Sequence, residues 1–104
     1  MITYANKLTF IKVDVSALVP PGPMTVILTH LSRLATPECL LIKHRRQPFP
    51  LYEKLDSAGF SYHCVVHTQD DITLYVFHQN AQALFDEWLV TNNLAKSDLI
   101  KGKR

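Results

Sequence analysis

Residues 60–78 read FSYHCVVHTQDDITLYVFH, and this stretch decides the fold. Residues 60–67 and 72–78 are rich in aromatic and β-branched side chains, which suit a pleated surface. Gln69-Asp70-Asp71 is the polar break between them, so an antiparallel hairpin is predicted. Centring the turn there pairs Tyr62 with His78 and His63 with Phe77. Because side chains alternate along a strand, one hairpin face carries Tyr62, Cys64, Val66, Leu74, Val76 and His78. The other carries His63, Val65, His67, Thr73, Tyr75 and Phe77. The first is the better core face. The second is too aromatic to be left in water and needs a cover.

Reading outward supplies the cover and the rest of the sheet. Downstream, Ala81, Leu84, Phe85, Trp88 and Leu89 repeat at i, i+3, i+4, i+7, i+8. That stripe predicts a helix over 80–93, with Asn80 as its N-cap. Phe85 and Trp88 are the candidate cover, and a dimer partner is the alternative. Upstream, CLLIKH (39–44) is the continuous apolar run of a buried strand, and Arg45-Arg46-Gln47-Pro48-Phe49-Pro50 is a loop. Leu51, Leu55 and Ala58 mark a short helix that stops at Gly59. LTFIKVDVS (8–16) alternates, with Thr9, Ile11, Val13 and Val15 opposite Leu8, Phe10, Lys12 and Asp14. Leu18-Val19-Pro20-Pro21-Gly22-Pro23 halts that strand. Met24, Ile27, Leu28, Leu31, Leu34 and Ala35 then space a helix over 23–35, opened by Pro23 and ended at Thr36-Pro37.

The order β-α-β-α-β-β-α makes the first two strands parallel through a right-handed crossover. The expected class is α+β, a two-layer α/β sandwich. It comprises a mixed four-stranded sheet, both early helices on one face, and a C-terminal helix.

At 104 residues, with 47% hydrophobic and 19% charged side chains, the chain is expected to be one domain, 1–104. That composition excludes disorder and disulfide scaffolds. No apolar run reaches about 18 residues, so no membrane span is expected. The start MITYANKLTF lacks the basic-then-apolar pattern of an export signal, so a cytoplasmic protein is expected. The formal charge is +2, but the tail 96–104 holds Lys96, Lys101, Lys103 and Arg104 against Asp98, leaving the body near −1. A nucleic-acid binder needs a basic face on the folded body, so nucleic acid is disfavoured.

Cys39 and Cys64 each sit in an apolar run and form no CxxC pair; both are expected to be buried and reduced. His63 and His67 would suit zinc on a helix, but on a strand they lie about 13 Å apart. His78, near Tyr62 and Cys64, reads as a core histidine bonded to a carbonyl or hydroxyl. Glu53 and Asp56 read as solvated helix residues. No Ser-His-Asp order, Gly-rich phosphate loop or HExxH motif is present, so no metal, cofactor or catalytic residue is assigned.

A strand, then Leu18-x-x-Pro21-x-Pro23 at a helix start, then βαββ, resembles the TusA-related (SirA-like) superfamily of sulfur carriers. Residues 14–23 and 44–51, with Pro48-Phe49-Pro50-Leu51-Tyr52, are similar to its branch catalogued as domain of unknown function 2249. The resemblance covers residues 8–78, outside which lie the last helix and the basic tail. It implies the sandwich fold and little about activity. In the carriers a persulfide cysteine precedes the Pro-x-Pro. Here Pro20 takes that place and has no thiol, so the resemblance implies no sulfur relay at this position.

Two neighbouring features remain. First-turn N–H groups at Met24 and Thr25, behind Pro21 and Pro23, would favour an anion. His44, Arg45 and Arg46 end the second strand, where open α/β sheets place ligands. In a parallel β-α-β unit both lie at one end of the sheet. The expected function is a non-enzymatic binding module holding a small anion or a partner protein through Pro21, Pro23, Met24, Thr25, His44, Arg45 and Arg46. The alternatives are a sulfur-transfer or thiol protein using Cys64, and a structural dimer joined through the hairpin's outer face.

Overall fold

A computed structural model describes residues 8–92. The basic tail at 96–104 lies outside the described residues, as does the last residue of the helix expected over 80–93. The elements are β1 (Thr9–Asp14), α1 (Gly22–Leu31), β2 (Glu38–His44), α2 (Phe49–Ala58), β3 (Phe60–Thr68), β4 (Asp71–His78) and, after a 3₁₀ turn at Gln79–Ala81, α3 (Gln82–Thr91). This is the expected α+β arrangement.

The four strands form one mixed sheet in the order β1-β2-β4-β3. β1 and β2 are parallel, from Thr9 opposite Glu38 to Asp14 opposite Lys43. β4 runs antiparallel to both β2 and β3. β1, β2 and β3 therefore all end on one side, the carboxyl end of the sheet.

Period-two alternation builds two cores on one sheet. On the inner face Val13, Leu40, Ile42, Leu74 and Val76 pack with Ile27 and Leu31 of α1 and Leu51 and Leu55 of α2. On the outer face Cys39 and Phe77 pack with Ala81, Phe85 and Leu89 of the C-terminal segment. Phe77 and Phe85 stack at 4.4 Å, and Phe10 meets Trp88 at 4.8 Å. The aromatic outer face is thus covered by the chain's own α3, and a dimer is not needed to bury it.

The hairpin departs from expectation in register. His78 faces Phe60, not Tyr62, and His63 faces Tyr75, not Phe77. The turn is tighter than expected: Asp71 opens β4 opposite Thr68, and a bulge between Val66 and Thr68 absorbs the mismatch. The shift moves each partner by two residues, so both faces keep their membership.

The helix boundaries also move. α1 ends at Leu31 rather than at 35. There the backbone tightens, with the Leu34 N–H donating to the Leu31 carbonyl at 3.2 Å. Leu34 O is engaged by His78 Nε2 at 2.7 Å, and the Glu38 carboxylate accepts the Ala35 N–H at 2.7 Å. Leu34 still reaches the core, but from a turn. Asn80 lies in the 3₁₀ turn and caps nothing; Ala81 holds the N-cap position, without a side-chain cap.

Gly59 closes α2 at φ +87°, as its place after Ala58 suggests. A Cβ there would meet nothing within 4 Å, so the constraint is backbone conformation alone. Gly59→Ala is expected to cost about 1 kcal/mol, the left-handed penalty of an L-residue. Urea unfolding would measure it, and no loss of stability would refute the assignment.

Candidate functional site

The parallel pairing of β1 and β2 brings the two sequence-selected segments to the carboxyl end. The loop holding Pro20 and Pro21 leaves β1 there and runs into Gly22, the first residue of α1, and the loop holding Arg45 and Arg46 leaves β2. Pro23 is buried and lies in the first turn of α1; Met24 packs against the inner core. Pro21 is exposed at the N-cap position, without a side-chain cap.

Few donors remain for an anion. The Thr25 N–H, expected to be available, donates to the Pro21 carbonyl at 3.1 Å, and its hydroxyl also reaches that oxygen at 3.2 Å. The Gly22 N–H donates to Val19 O at 2.8 Å. At the start of α2 the Phe49 N–H donates to Gln47 O at 3.0 Å and the Leu51 N–H to Pro48 O at 2.8 Å. His44 is half-buried, its Nδ1 accepts the Arg46 N–H at 3.2 Å, and burial pushes its pKa down. The neutral imidazole is therefore favoured, and it serves as a turn acceptor. Proline-rich helix starts explain this economy: prolines contribute no N–H, and the neighbouring N–H groups fold back on the loop.

What this end does expose is apolar and cationic. Val19 is 74% exposed, Phe49 65% and Leu18 40%. Arg45 and Arg46 are exposed, and neither forms an ion pair among the described residues. The arginines are among the residues expected at this site; Leu18, Val19 and Phe49 are not. Large apolar side chains interspersed with Pro20, Pro21, Pro23, Pro48 and Pro50 were the available signal.

An open groove of about 700 Å³ on the outer face, near the same end, was also missed. Lys12, Asp14, Leu41, Lys43, His67 and Tyr75 line it, from all four strands. Its membership depends on strand order. Most of the groove's polar side chains already have partners. Asp14 accepts the Ser16 hydroxyl at 2.6 Å and the Ser16 N–H at 2.9 Å, which holds its carboxyl below the usual range. Lys43 meets Asp71 at 3.3 Å, and His67 Nε2 bonds Thr73 Oγ1 at 2.8 Å.

The thiols are not activated. Cys39 is buried, and desolvation pushes its pKa up to about 12. Cys64, expected to be buried, is half-buried on β3 against the inner core; desolvation raises its pKa as well, against an opposing hydrogen bond with Tyr52. Tyr52 itself stacks flat on Tyr62 at 4.1 Å. His78 bonds the Leu34 carbonyl, as expected, but it is half-buried rather than a core residue. Among the described residues no three His, Cys, Asp or Glu side chains are grouped to hold a metal.

A family model described as an uncharacterized conserved protein (DUF2249) matches residues 12–78, nearly all of the sheet with α1 and α2. The chain belongs to the DUF2249 family. The match spans both carboxyl-end loops and stops before α3, so the cover of the outer face lies beyond it. Comparison with curated proteins and with solved structures finds no match. No helix among the described residues is long and apolar enough to cross a membrane.

Proposed function

We propose that this DUF2249 domain is a non-enzymatic binding module. Its carboxyl end docks a protein segment carrying acidic and large apolar side chains. The observation that supports this reading is the exposure of Val19 in the loop before α1 and of Phe49 at the start of α2, with Arg45 and Arg46 between β2 and α2. Exposed apolar surface rimmed by polar groups suits an interaction site, and guanidinium groups pair with carboxylates in a bidentate fork. Pro21 and Pro23 fix the path of one loop, and Met24 anchors it to the core. A free small anion bound by the N–H groups of Met24 and Thr25 is the weaker reading, because the Thr25 N–H is already engaged. A relocated persulfide on Cys64 is disfavoured by the raised pKa of that thiol. The TusA-like ancestry suggested by the proline motif fits a carrier scaffold reused for binding.

The test is a selection of random peptides on immobilised protein, followed by amide NMR titration of the labelled protein. The expected peptides combine Asp or Glu with Leu, Phe or Trp and shift residues 18–19 and 45–49. Arg45→Glu with Arg46→Glu should weaken them by about 10- to 100-fold. Millimolar phosphate and thiosulfate should leave Met24 and Thr25 unmoved. Saturable shifts there with phosphate, or peptides indifferent to the arginines, would overturn the proposal.

A further inference from the structure

The loop between β2 and α2 carries Arg45 and Arg46 between two side-chain pins. At its far end the Tyr52 hydroxyl donates to Gln47 Oε1 at 3.1 Å. At its near end His44 Nδ1 accepts the Arg46 N–H at 3.2 Å. The two pins respond differently to acid. A phenol keeps its proton below about pH 10, and burial pushes Tyr52 further up. An imidazole offers an acceptor nitrogen only while it is neutral; once charged, both of its nitrogens are donors.

The geometry fixes the form that His44 takes. A backbone N–H can only donate, so Nδ1 supplies a lone pair and the ring proton sits on Nε2. A second proton would stand on Nδ1, facing the Arg46 N–H, donor against donor. It would also place a third cation next to Arg45 and Arg46 in the chain. Half-burial of the ring opposes the charge as well. The surrounding elements bring no compensation. Asp14 ends β1, where its carboxylate is bound to Ser16, and Asp71 opens β4, where it meets Lys43. Glu53, Lys54 and Asp56 lie on α2, and α1 carries His30 alone. None of these groups shifts His44.

We propose that His44 is an acid-released latch on the loop that carries Arg45 and Arg46. Neutral, it ties the Arg46 N–H back to the end of β2 and holds the path of the two arginines. Charged, it lets go, and the loop loses its near pin. The consequence for binding rests on the docking function proposed above. A loop already held costs a bound peptide little to order, so protonation of His44 weakens docking. The coupling is reciprocal: a bound peptide makes His44 harder to protonate.

Ring and backbone NMR of the labelled protein, from about pH 8 to about pH 5, tests the latch. At the alkaline limit the His44 ring should be the tautomer protonated on Nε2. It should titrate below about pH 6.5, and the Arg46 amide should shift with the same midpoint. A peptide from the selection should bind about three- to tenfold more weakly at about pH 5 than at about pH 7.5, and its presence should move the His44 midpoint to lower pH. His44→Asn puts a non-titrating oxygen in place of Nδ1 and should flatten that dependence, apart from the share due to the peptide's own carboxylates. His44→Leu has no acceptor and should bind weakly at both limits. An Arg46 amide that does not follow the His44 ring overturns the proposal. So does a ring protonated on Nδ1 at the alkaline limit, or the same pH dependence in the wild type and His44→Asn. Failure of the docking surface reads differently: no peptide binds at either pH while the Arg46 amide still follows His44, so the latch stands and the docking reading falls.

Discussion

Phe85→Ala is expected to lower the unfolding free energy by about 3–5 kcal/mol, the usual cost of emptying a buried aromatic site. Phe85 is 1% exposed. Its ring stacks on Phe77 at 4.4 Å, with Tyr75 at 5.3 Å and His63 at 5.6 Å. It is the central side chain of α3, flanked by Ala81 and Leu89, the other buried residues of the segment. A helix of ten residues is marginal by itself in water, so its docking depends on this contact. For a domain of this size the loss corresponds to roughly 15–25 °C in the melting midpoint. Phe85→Leu should cost much less, because most of the volume is kept. Urea and thermal unfolding of both variants would decide the matter. A loss below about 1 kcal/mol for Phe85→Ala would mean that α3 is not the cover of the outer face.

Cys39 in the native protein is expected to react with Ellman's reagent at pH 8 at least about a thousandfold more slowly than in the unfolded chain. The thiolate is the nucleophile, and a pKa of about 12 leaves on the order of one thiolate in ten thousand at that pH. An unfolded cysteine is ionised to roughly a quarter. Cys64 should also be slow, because burial raises its pKa, although it is only half-buried. Comparing Cys39→Ser and Cys64→Ser separates the two rates. Native reaction of Cys64 within about threefold of the unfolded rate would restore the thiol-carrier reading. The same shift predicts an alkaline loss of stability. Between pH 9 and about 12 the unfolded Cys39 has released its proton while the folded one retains it. The unfolding free energy should therefore fall by about 1.4 kcal/mol per pH unit in that window and show no contribution from Cys39 below it. Cys39→Ala should remove this part of the slope, and an unchanged slope would refute the assignment.

Much of this protein was legible in the chain because period and punctuation are local. The alternation in residues 60–78 divides Tyr62, Cys64, Leu74 and Val76 from His63, Tyr75 and Phe77, and a register shift of two residues leaves that division intact. Gly59 and Pro23 stand where their backbone preferences place them. The helical stripe that includes Phe85 and Trp88 made this helix the candidate cover of the outer face, with a dimer partner as the alternative, and both side chains pack there. The parallel pairing followed from the crossover helix, and with it the meeting of the two loops at one end.

What the chain alone left open depends on which backbone groups are already engaged, and on neighbours distant in sequence. The Thr25 N–H reads as available until the Pro21 carbonyl is seen beneath it. The end of α1 is set by Glu38 and by His78, forty-four residues beyond Leu34. Strand order decided that β3 is a rim and that all four strands share the groove. Sequence alone determined the elements and their faces, because alternation and helical spacing are properties of adjacent residues. Tertiary structure decided the register, the spent donors and the open surfaces, because each is a competition among partners that only the folded chain brings together.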